Sequence, residues 1–477
     1  MHNRLLILLL LAVSLELFGQ KAVPVPGASP LSEVPVIALT ALDNEALLQE
    51  ELDNRGPERP PRFAQRREVD IRPTETGLWE DLPNGDMLWR LRIQSPNAHS
   101  INLGFTEYYM PAGGRLLLYD PLQTEILGPF TPSDNEGHQQ LWTPVLGGDD
   151  LVLEVVIPAH ERPNLRLRLT SINHDFLNFF GVTTGACHLD VLCGEANGWG
   201  IVDLYRDVIQ SVAVYGMGGE TFCTGALINN TDNDCRPYFL SAFHCDVTPS
   251  NAPSVVVYWN YQNSYCRQPG TVASSNPGNG SLNNFNTGAT YRAGYQPSDF
   301  VLLELDDPIP SSSQAYFAGW SREATPPQDT VICVHHPDGA EKRISFAFND
   351  TYPGIWGNGN QEVPNGNHLI VPDWSVGSTE VGSSGAPLFN KQGRIVGQLH
   401  GGGASCSNDE YDAFGWIRSS WEGGGTSTSR LKDWLAPNGE NLFFLEGRLL
   451  SSCNASIFIQ PSVTAMCIPG TADFEIE

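Results

Sequence analysis

Ser298-Asp299-Phe300-Val301-Leu302-Leu303-Glu304-Leu305 opens on turn residues and continues as a short apolar run. A run of that length, bounded by turn chemistry, reads as a strand. Comparable runs at 255–258 and 394–400 are separated by turns rich in Gly, Asn, Pro and Ser, from Gly181 to about residue 425. That spacing predicts an all-β sandwich or barrel. Upstream the pattern changes to strict alternation. Trp89, Leu91 and Ile93 alternate with Arg90, Arg92 and Gln94, and Leu165, Leu167 and Leu169 alternate with Arg166 and Arg168. Apolar side chains then share one sheet face and charges the other. Runs at 115–119 and 151–157 add strands, and Ala112-Gly113-Gly114 and Gly147-Gly148-Asp149 add turns. Residues 76–180 are therefore expected to form an antiparallel β-sandwich.

The 477 residues are too many for one ordinary core, and 47 glycines with 35 prolines favour loop-rich β structure over a helical bundle. With 54 acids against 27 Lys and Arg, the net charge is −27, the wrong sign for a protein that tracks phosphates. No nucleic-acid partner is expected. Arg4, the apolar run from Leu5 to Val13 and the small residue Gly19 make residues 1–20 a secretory signal peptide. The run is too short to span a membrane, Glu16 interrupts its tail, and no other segment offers about 18 consecutive apolar residues. Residues 21–75, where Pro57, Pro60 and Pro61 cluster among Glu and Arg, read as a poorly ordered lead-in. The ten cysteines lie between Cys187 and Cys467, and none falls in a zinc-type pair of CxxC motifs. In an exported chain they read as disulfides. Leu431, Trp434 and Leu435 predict a short helix capped by Ser429 and stopped by Pro437.

Three segments carry chemistry when taken in chain order: Ser241-Ala242-Phe243-His244-Cys245, Ser298-Asp299, and Gly382-Ser383-Ser384-Gly385-Ala386-Pro387. Singly, each is an ordinary structural feature. Together they answer one problem. A serine hydroxyl is a poor nucleophile at neutral pH and needs a base within hydrogen-bond reach. An imidazole can take that proton and return it, and a carboxylate holds the ring in the right tautomer. The tetrahedral oxyanion needs preorganised N–H donors. His244, Asp299 and Ser384 fill the first three roles, and the amides of Gly382 and Ser384 the fourth. Ser383 is the rival nucleophile.

This arrangement resembles the chymotrypsin-like serine proteases and, more narrowly, the bacterial lysyl endopeptidases. The resemblance runs from Gly181 to about Pro437, through Cys187-His-Leu-Asp-Val-Leu-Cys193, Val257-Tyr-Trp-Asn-Tyr-Gln-Asn-Ser264, and His335-His336-Pro337 with Glu341-Lys-Arg-Ile-Ser345. It continues through Val396-Gly-Gln-Leu-His-Gly-Gly402, Ser420-Trp421 with Gly423-Gly-Gly425, and Ser429-Arg-Leu-Lys-Asp-Trp-Leu435. It implies a two-barrel protease domain at 181–440 and does not extend to residues 21–175. The position of 76–180 between a signal and an enzyme-like region suits a removable pro-domain, with a permanent accessory domain the alternative, and 441–477 make a C-terminal extension. The Gly-x-Ser-Gly placement favours Ser384 over Ser383. Where the wider trypsin group has an Asp that receives the new amino terminus, this chain has Ser383, so activation must rest on removing the pro-segment another way. Gly181 is the maturation site that the resemblance implies.

A pocket for a cationic side chain needs a buried carboxylate, because an unpaired buried charge is costly. Asp409, Glu410 and Asp412 all lie in the relevant loop, and the family's Asp-x-aromatic-Gly pattern, matched by Asp412-Ala-Phe-Gly415, selects Asp412. By the same resemblance His400, Gly401 and Gly402 end the strand that pairs with the substrate backbone, and Trp356 packs near His400. It also implies the disulfides Cys187–Cys406, Cys193–Cys266 and Cys223–Cys245. The remaining pairings, Cys235–Cys333 and Cys453–Cys467, are guesses. His335 and His336 receive no catalytic role, because consecutive strand side chains face opposite ways. Asp232-Asn233-Asp234 lacks the glycine and distal Glu of a calcium loop and reads as a solvated turn. The expectation is a secreted, monomeric serine endopeptidase, made as a zymogen, that cleaves proteins or peptides on the carboxyl side of lysine through an acyl-enzyme and needs no metal or cofactor. The alternatives are a trypsin-like enzyme accepting Lys and Arg alike, and a catalytically silent binding homologue.

Overall fold

Alternation along the N-terminal strands closes two facing sheets over one apolar cluster. The structure, a computed structural model, describes residues 25–56, 58–179, 181–454, 459–461 and 474–476. One sheet runs Val36–Ala38, Asp86–Gln94, Asp150–Pro158, Arg115–Tyr119, Ile126–Phe130, with Leu78–Asp81 also on Asp86–Gln94. The other runs Ala64–Ile71, Arg166–Asp175, Ser100–Tyr109, Leu141–Trp142, with Leu146–Gly147 beside Ser100–Tyr109. Trp89, Leu91 and Ile93 from the first meet Leu103, Phe105, Leu167 and Leu169 from the second. One pair departs from the expected antiparallel order: Val36–Ala38 lies parallel to Asp86–Gln94.

That strand belongs to a stretch read from sequence as poorly ordered, and the structure corrects this reading. Residues 21–75 contain the strand Val36–Ala38, the helix Asn44–Asp53 and the strand Ala64–Ile71. Asp43 caps the helix by accepting from the Ala46 amide. The charges that suggested solvation are paired within the fold. Arg62 binds both Glu50 and the buried Glu51, and Arg66 binds Glu220 of the following unit. The signal-peptide reading at 1–20 lies outside the described residues.

Two larger sheets follow. The first has the order Phe285–Thr287, Val256–Tyr258, Val212–Met217, Thr221–Leu227, Tyr238–Ala242, Phe300–Leu305, Ala289–Tyr295. The second has Leu189–Asp190, Arg343–Ala347, Val331–His335, Pro387–Asn390, Ile395–Gly402, Asp412–Trp416, His368–Val371, Tyr352–Gly354 along its main path. The unbroken apolar run at 300–303 now has its reason: both faces of the strand are covered there. Val301, Leu303 and Leu305 face the interior of the first sheet with Tyr215, Phe239 and Trp259. Phe300 and Leu302 face outward, into a second cluster shared with Ile332, Val334, Phe346 and Phe389 of the other sheet. The two-barrel, all-β architecture places the seam between sheets where the chemistry-bearing segments end. No helix among the described residues is long and apolar enough to cross a membrane.

Cys187–Cys406, Cys193–Cys266 and Cys223–Cys245 are bonded. The two guessed pairings are corrected: Cys235 is bonded to Cys453, and Cys333 is a buried free thiol. Cys333 points into the cluster inside the second sheet, with Leu388 and Phe414, whereas Cys235 sits on the turn before the strand Tyr238–Ala242, where the tail arrives. Cys467 lies outside the described residues. The tail also adds Phe444–Leu445 beside Trp320–Ser321. The predicted short helix is Lys432–Leu435, but Ser429 does not cap it; its hydroxyl accepts from the Thr426 amide in the preceding turn.

Candidate active site

Ala242 and Phe300 are register partners in neighbouring antiparallel strands, so the residues just past them, His244 and Asp299, emerge at the same end. The disulfide Cys223–Cys245 holds the turn that carries His244. Asp299 sits at φ +53° after the turn Gln296–Ser298, a left-handed conformation that Asp tolerates better than most residues. Its carboxylate grips His244 twice, accepting from the backbone amide through Oδ1 at 2.9 Å and lying 2.8 Å from Nδ1 through Oδ2. Burial pushes the Asp299 carboxyl up, and the His244 imidazole pulls it back. The other ring nitrogen, Nε2, is buried without a hydrogen-bond partner.

Ser384 lies on the far side of the seam, just before the strand Pro387–Asn390. Its carbonyl accepts from the Thr224 amide at 2.9 Å and stands 3.9 Å from Cys245 Sγ. That sets the serine beside the residue next to His244. The Gly382 carbonyl accepts from Thr224 Oγ1 at 2.9 Å. With both carbonyls held, the amides of Gly382 and Ser384 donate to no group among the described residues. Gly382 has φ +88°, and a Cβ there would sit 2.5 Å from the Phe222 ring, so the turn requires glycine. Ser383 faces the other way, fully buried, with its Oγ 2.8 Å from His335 Nδ1.

Asp412 begins the strand Asp412–Trp416 opposite Gly402. It is buried, and its Oδ2 accepts from Trp374 Nε1 and Thr379 Oγ1, each at 2.7 Å. Burial pushes its carboxyl up to about 6. A Cβ at Gly402 would strike the Tyr411 carbonyl and the Asp412 carboxylate. Asp409 and Glu410, the competing acids, are exposed.

Residues 182–415 match the family description "Lysyl endopeptidase, C-terminal domain", and residues 38–176 match "Lysyl endopeptidase N-terminal domain". The chain belongs to the lysyl endopeptidase family. It is a serine endopeptidase. A lysyl endopeptidase from Pseudomonas aeruginosa is 27% identical over 378 residues, spanning 74% of this chain and 77% of that protein. Solved structures that overlap it include a Glu endopeptidase in complex with MPD, with 16% identity, 44% of this chain, 85% of the other and a TM-score of 0.29. Another is a protease from M. tuberculosis in its active form, with 17% identity, 45% of this chain, 78% of the other and a TM-score of 0.27.

In this lysyl endopeptidase relative the His400 ring is sandwiched. It stacks on His244 with centroids 5.3 Å apart and on Trp356 at 3.9 Å. His368 Nε2 lies 2.9 Å from His400 Nδ1, which itself is 3.7 Å from Asp299 Oδ2. Burial holds His400 down to about 2 and His368 to about 4. His244, Asp299 and His400 are close enough together to hold a metal ion, as are Cys187, His188 and Cys406. Both cysteines of the second group are bonded to each other, which removes the thiolates a metal would want. Asp232 and Asp234 accept from Asn438 and Asn230 respectively, as befits a turn.

Several partners of the site were not visible in the sequence. Glu58 Oε1 accepts from Trp356 Nε1 at 2.8 Å, Arg55 lies 3.7 Å from Asp338, and the Pro61 carbonyl accepts from the Phe222 amide at 3.1 Å. The N-terminal unit thus touches Trp356, which stacks on His400, and Phe222, which lies against Gly382. A gap of 298 residues separates Glu58 from Trp356, so no local pattern could announce the contact. Trp374 and Thr379, which hold Asp412, carried no signal either.

Proposed function

We propose that this serine endopeptidase cleaves on the carboxyl side of lysine through an acyl-enzyme. Ser384 Oγ attacks the scissile carbonyl while His244 Nε2 takes its proton. Asp299 keeps the proton on Nδ1 and balances the imidazolium. The Gly382 and Ser384 amides receive the oxyanion. His244 then gives its proton to the leaving amine, and water repeats the sequence in reverse to free the acid. The observation that carries this reading is the His244–Asp299 pair at 2.8 Å, whose buried opposite nitrogen has no partner and whose neighbour Cys245 touches the Ser384 backbone. In unliganded sites the nucleophile–base hydrogen bond is often long and tightens only with substrate.

Lysine preference rests on Asp412. A buried carboxylate gripped by two donors is a fixed negative charge for an extended cation. His400, Gly401 and Gly402 line the strand end beside it, with Trp356 at the rim. The division into a signal at 1–20, a pro-region to residue 180, a protease domain at 181–440 and an extension at 441–477 belongs to the same reading, with secretion as the destination. The contacts of Arg55, Glu58 and Pro61 support an intramolecular inhibitor that covers the cleft until it is removed. The test is digestion of a denatured protein by the enzyme recovered from the full chain, with the cut sites mapped. Cuts after Lys are expected, and none from Ser384→Ala. Equal cutting after Arg would replace the lysine assignment with a trypsin-like one, and full activity of Ser384→Ala would overturn the nucleophile.

A further inference from the structure

The turn that presents the two oxyanion amides is tied down by an imidazole with no part in the chemistry. Ser383 Oγ lies 2.8 Å from His335 Nδ1 and accepts from the Glu380 amide at 3.3 Å. Across the ring, His335 Nε2 is 3.0 Å from Ser345 Oγ, and Ser345 donates its proton to the Ser378 carbonyl at 3.0 Å. The polarity of the chain follows from that last bond. A carbonyl only accepts, so the Ser345 hydroxyl must donate to it and must therefore accept from His335. His335 then carries its proton on Nε2, its Nδ1 is a bare lone pair, and Ser383 donates to it. All of these side chains are buried, and burial with the nearby Arg343 guanidinium holds His335 down to about 3. The ring is neutral.

The next residue ties the same turn from the other side. The His336 amide donates to Thr224 Oγ1 at 3.3 Å, and Thr224 in turn donates to the carbonyls of Gly382 and Ser384. The Ser383 side chain is thus anchored to the end of the strand Val331–His335, and the two flanking carbonyls to Thr224 of the strand Thr221–Leu227, whose hydroxyl the His336 amide also engages. What remains unengaged among the described residues is the pair of amides.

We propose that His335 is a positioning residue for hydrolysis, fixing through Ser383 the turn that aims the Gly382 and Ser384 amides at the oxyanion. This rests on the assignment of Ser384 and its two amides made above. Preorganised donors help only when they are held, and losing one such donor typically costs about 10²–10³ in kcat.

The experiment uses enzyme recovered from the full chain carrying His335→Leu, His335→Asn, His335→Gln or Ser383→Ala. His335→Leu is expected to lower kcat on a lysyl amide about 100-fold with KM nearly unchanged. It should weaken a lysyl peptide aldehyde, which forms a tetrahedral adduct, by a similar factor while leaving the matching alcohol unaffected. Asn places an oxygen near the Nδ1 position and should recover much of the loss; Gln reaches only toward Ser345 and should not. Ser383→Ala deletes a single hydroxyl, so it keeps the question answerable if His335→Leu does not fold, and it too should weaken the aldehyde selectively. Normal kcat and aldehyde affinity in a folded His335→Leu or Ser383→Ala variant overturns the proposal, as does an equal loss of aldehyde and alcohol binding. If Ser384→Ala is inactive while these variants behave as wild type, only the role of His335 falls. If Ser384→Ala remains active, the site assignment itself falls.

Discussion

Replacing Asp412 by Asn removes one charge and almost no volume, and its effect can be sized from the site. The carboxylate is buried with Trp374 Nε1 and Thr379 Oγ1 on Oδ2, and an amide oxygen can take both of those bonds. What vanishes is the partner of the substrate ammonium. Leaving a buried charge unpaired costs about 3–5 kcal/mol, which converts to roughly 10²–10⁴ in kcat/KM for lysyl substrates. Substrates with a neutral residue at that position should change little. The same substitution has an opposite effect on stability. Burial raises the Asp412 carboxyl from 3.8 to about 6, so the folded state holds its proton more tightly than the unfolded chain. The resulting penalty is absent below about pH 4 and grows as pH rises through 6, reaching about 3 kcal/mol at neutral pH. Asp412→Asn should therefore unfold at a higher temperature than the parent at pH 8 and show no such gain at pH 3.5. The assay pairs kcat/KM on lysyl and leucyl anilides with thermal unfolding at the two pH values. A parallel loss on both substrates, or a lower melting temperature at both pH values, refutes the reasoning.

Other outcomes follow from contacts at the cleft. Glu58→Ala, which deletes the acceptor of Trp356 Nε1, should shorten the lag before precursor becomes active several-fold and leave the processed enzyme unchanged; time courses of anilide hydrolysis check this. Gly385 adopts φ +83°, and a Cβ there would clash with Ser241 Oγ and the Thr224 carbonyl. Gly385→Ala should accumulate poorly and lose activity beyond what its stability explains, read by soluble yield, melting temperature and kcat. In the wild type, kcat/KM for lysyl substrates should fall more steeply below pH 6 than for leucyl substrates, because protonating Asp412 discharges the pocket; pH profiles on the two anilides decide it.

What the sequence reveals and what it hides divide along physical lines. The His244–Asp299 contact and the turn of Ser384 beside it were legible because proton transfer from a serine admits few residue types, and each segment lies at a strand end with its own turn signal. The paired sheets at 36–175 were legible in part. Alternation in Trp89-Arg90-Leu91-Arg92-Ile93 shows a half-buried strand, but Arg66 and Arg67 in Ala64–Ile71 give a polar reading to a segment in which Arg66 pairs with the distant Glu220 and Arg67 donates to Thr40. Composition cannot see a partner that lies 154 residues away. The bond between Cys235 and Cys453 hid for the same reason, since pairing follows the path of the tail and not the spacing of the cysteines. His335 was set aside because adjacent strand residues face opposite ways. They do: the His336 ring turns to Tyr261 and the Ala340 carbonyl, while the His335 ring meets the Ser383 hydroxyl.

The bridge from Cys187 to Cys406 spans a separation of 219 residues and fastens the start of the protease region to the loop leading into Asp412. A chain severed anywhere between Asn178 and Cys187 keeps its new end moored to the rim of the pocket. On the lysine reading, the N-terminal unit can then depart without loosening the loop proposed to choose the substrate.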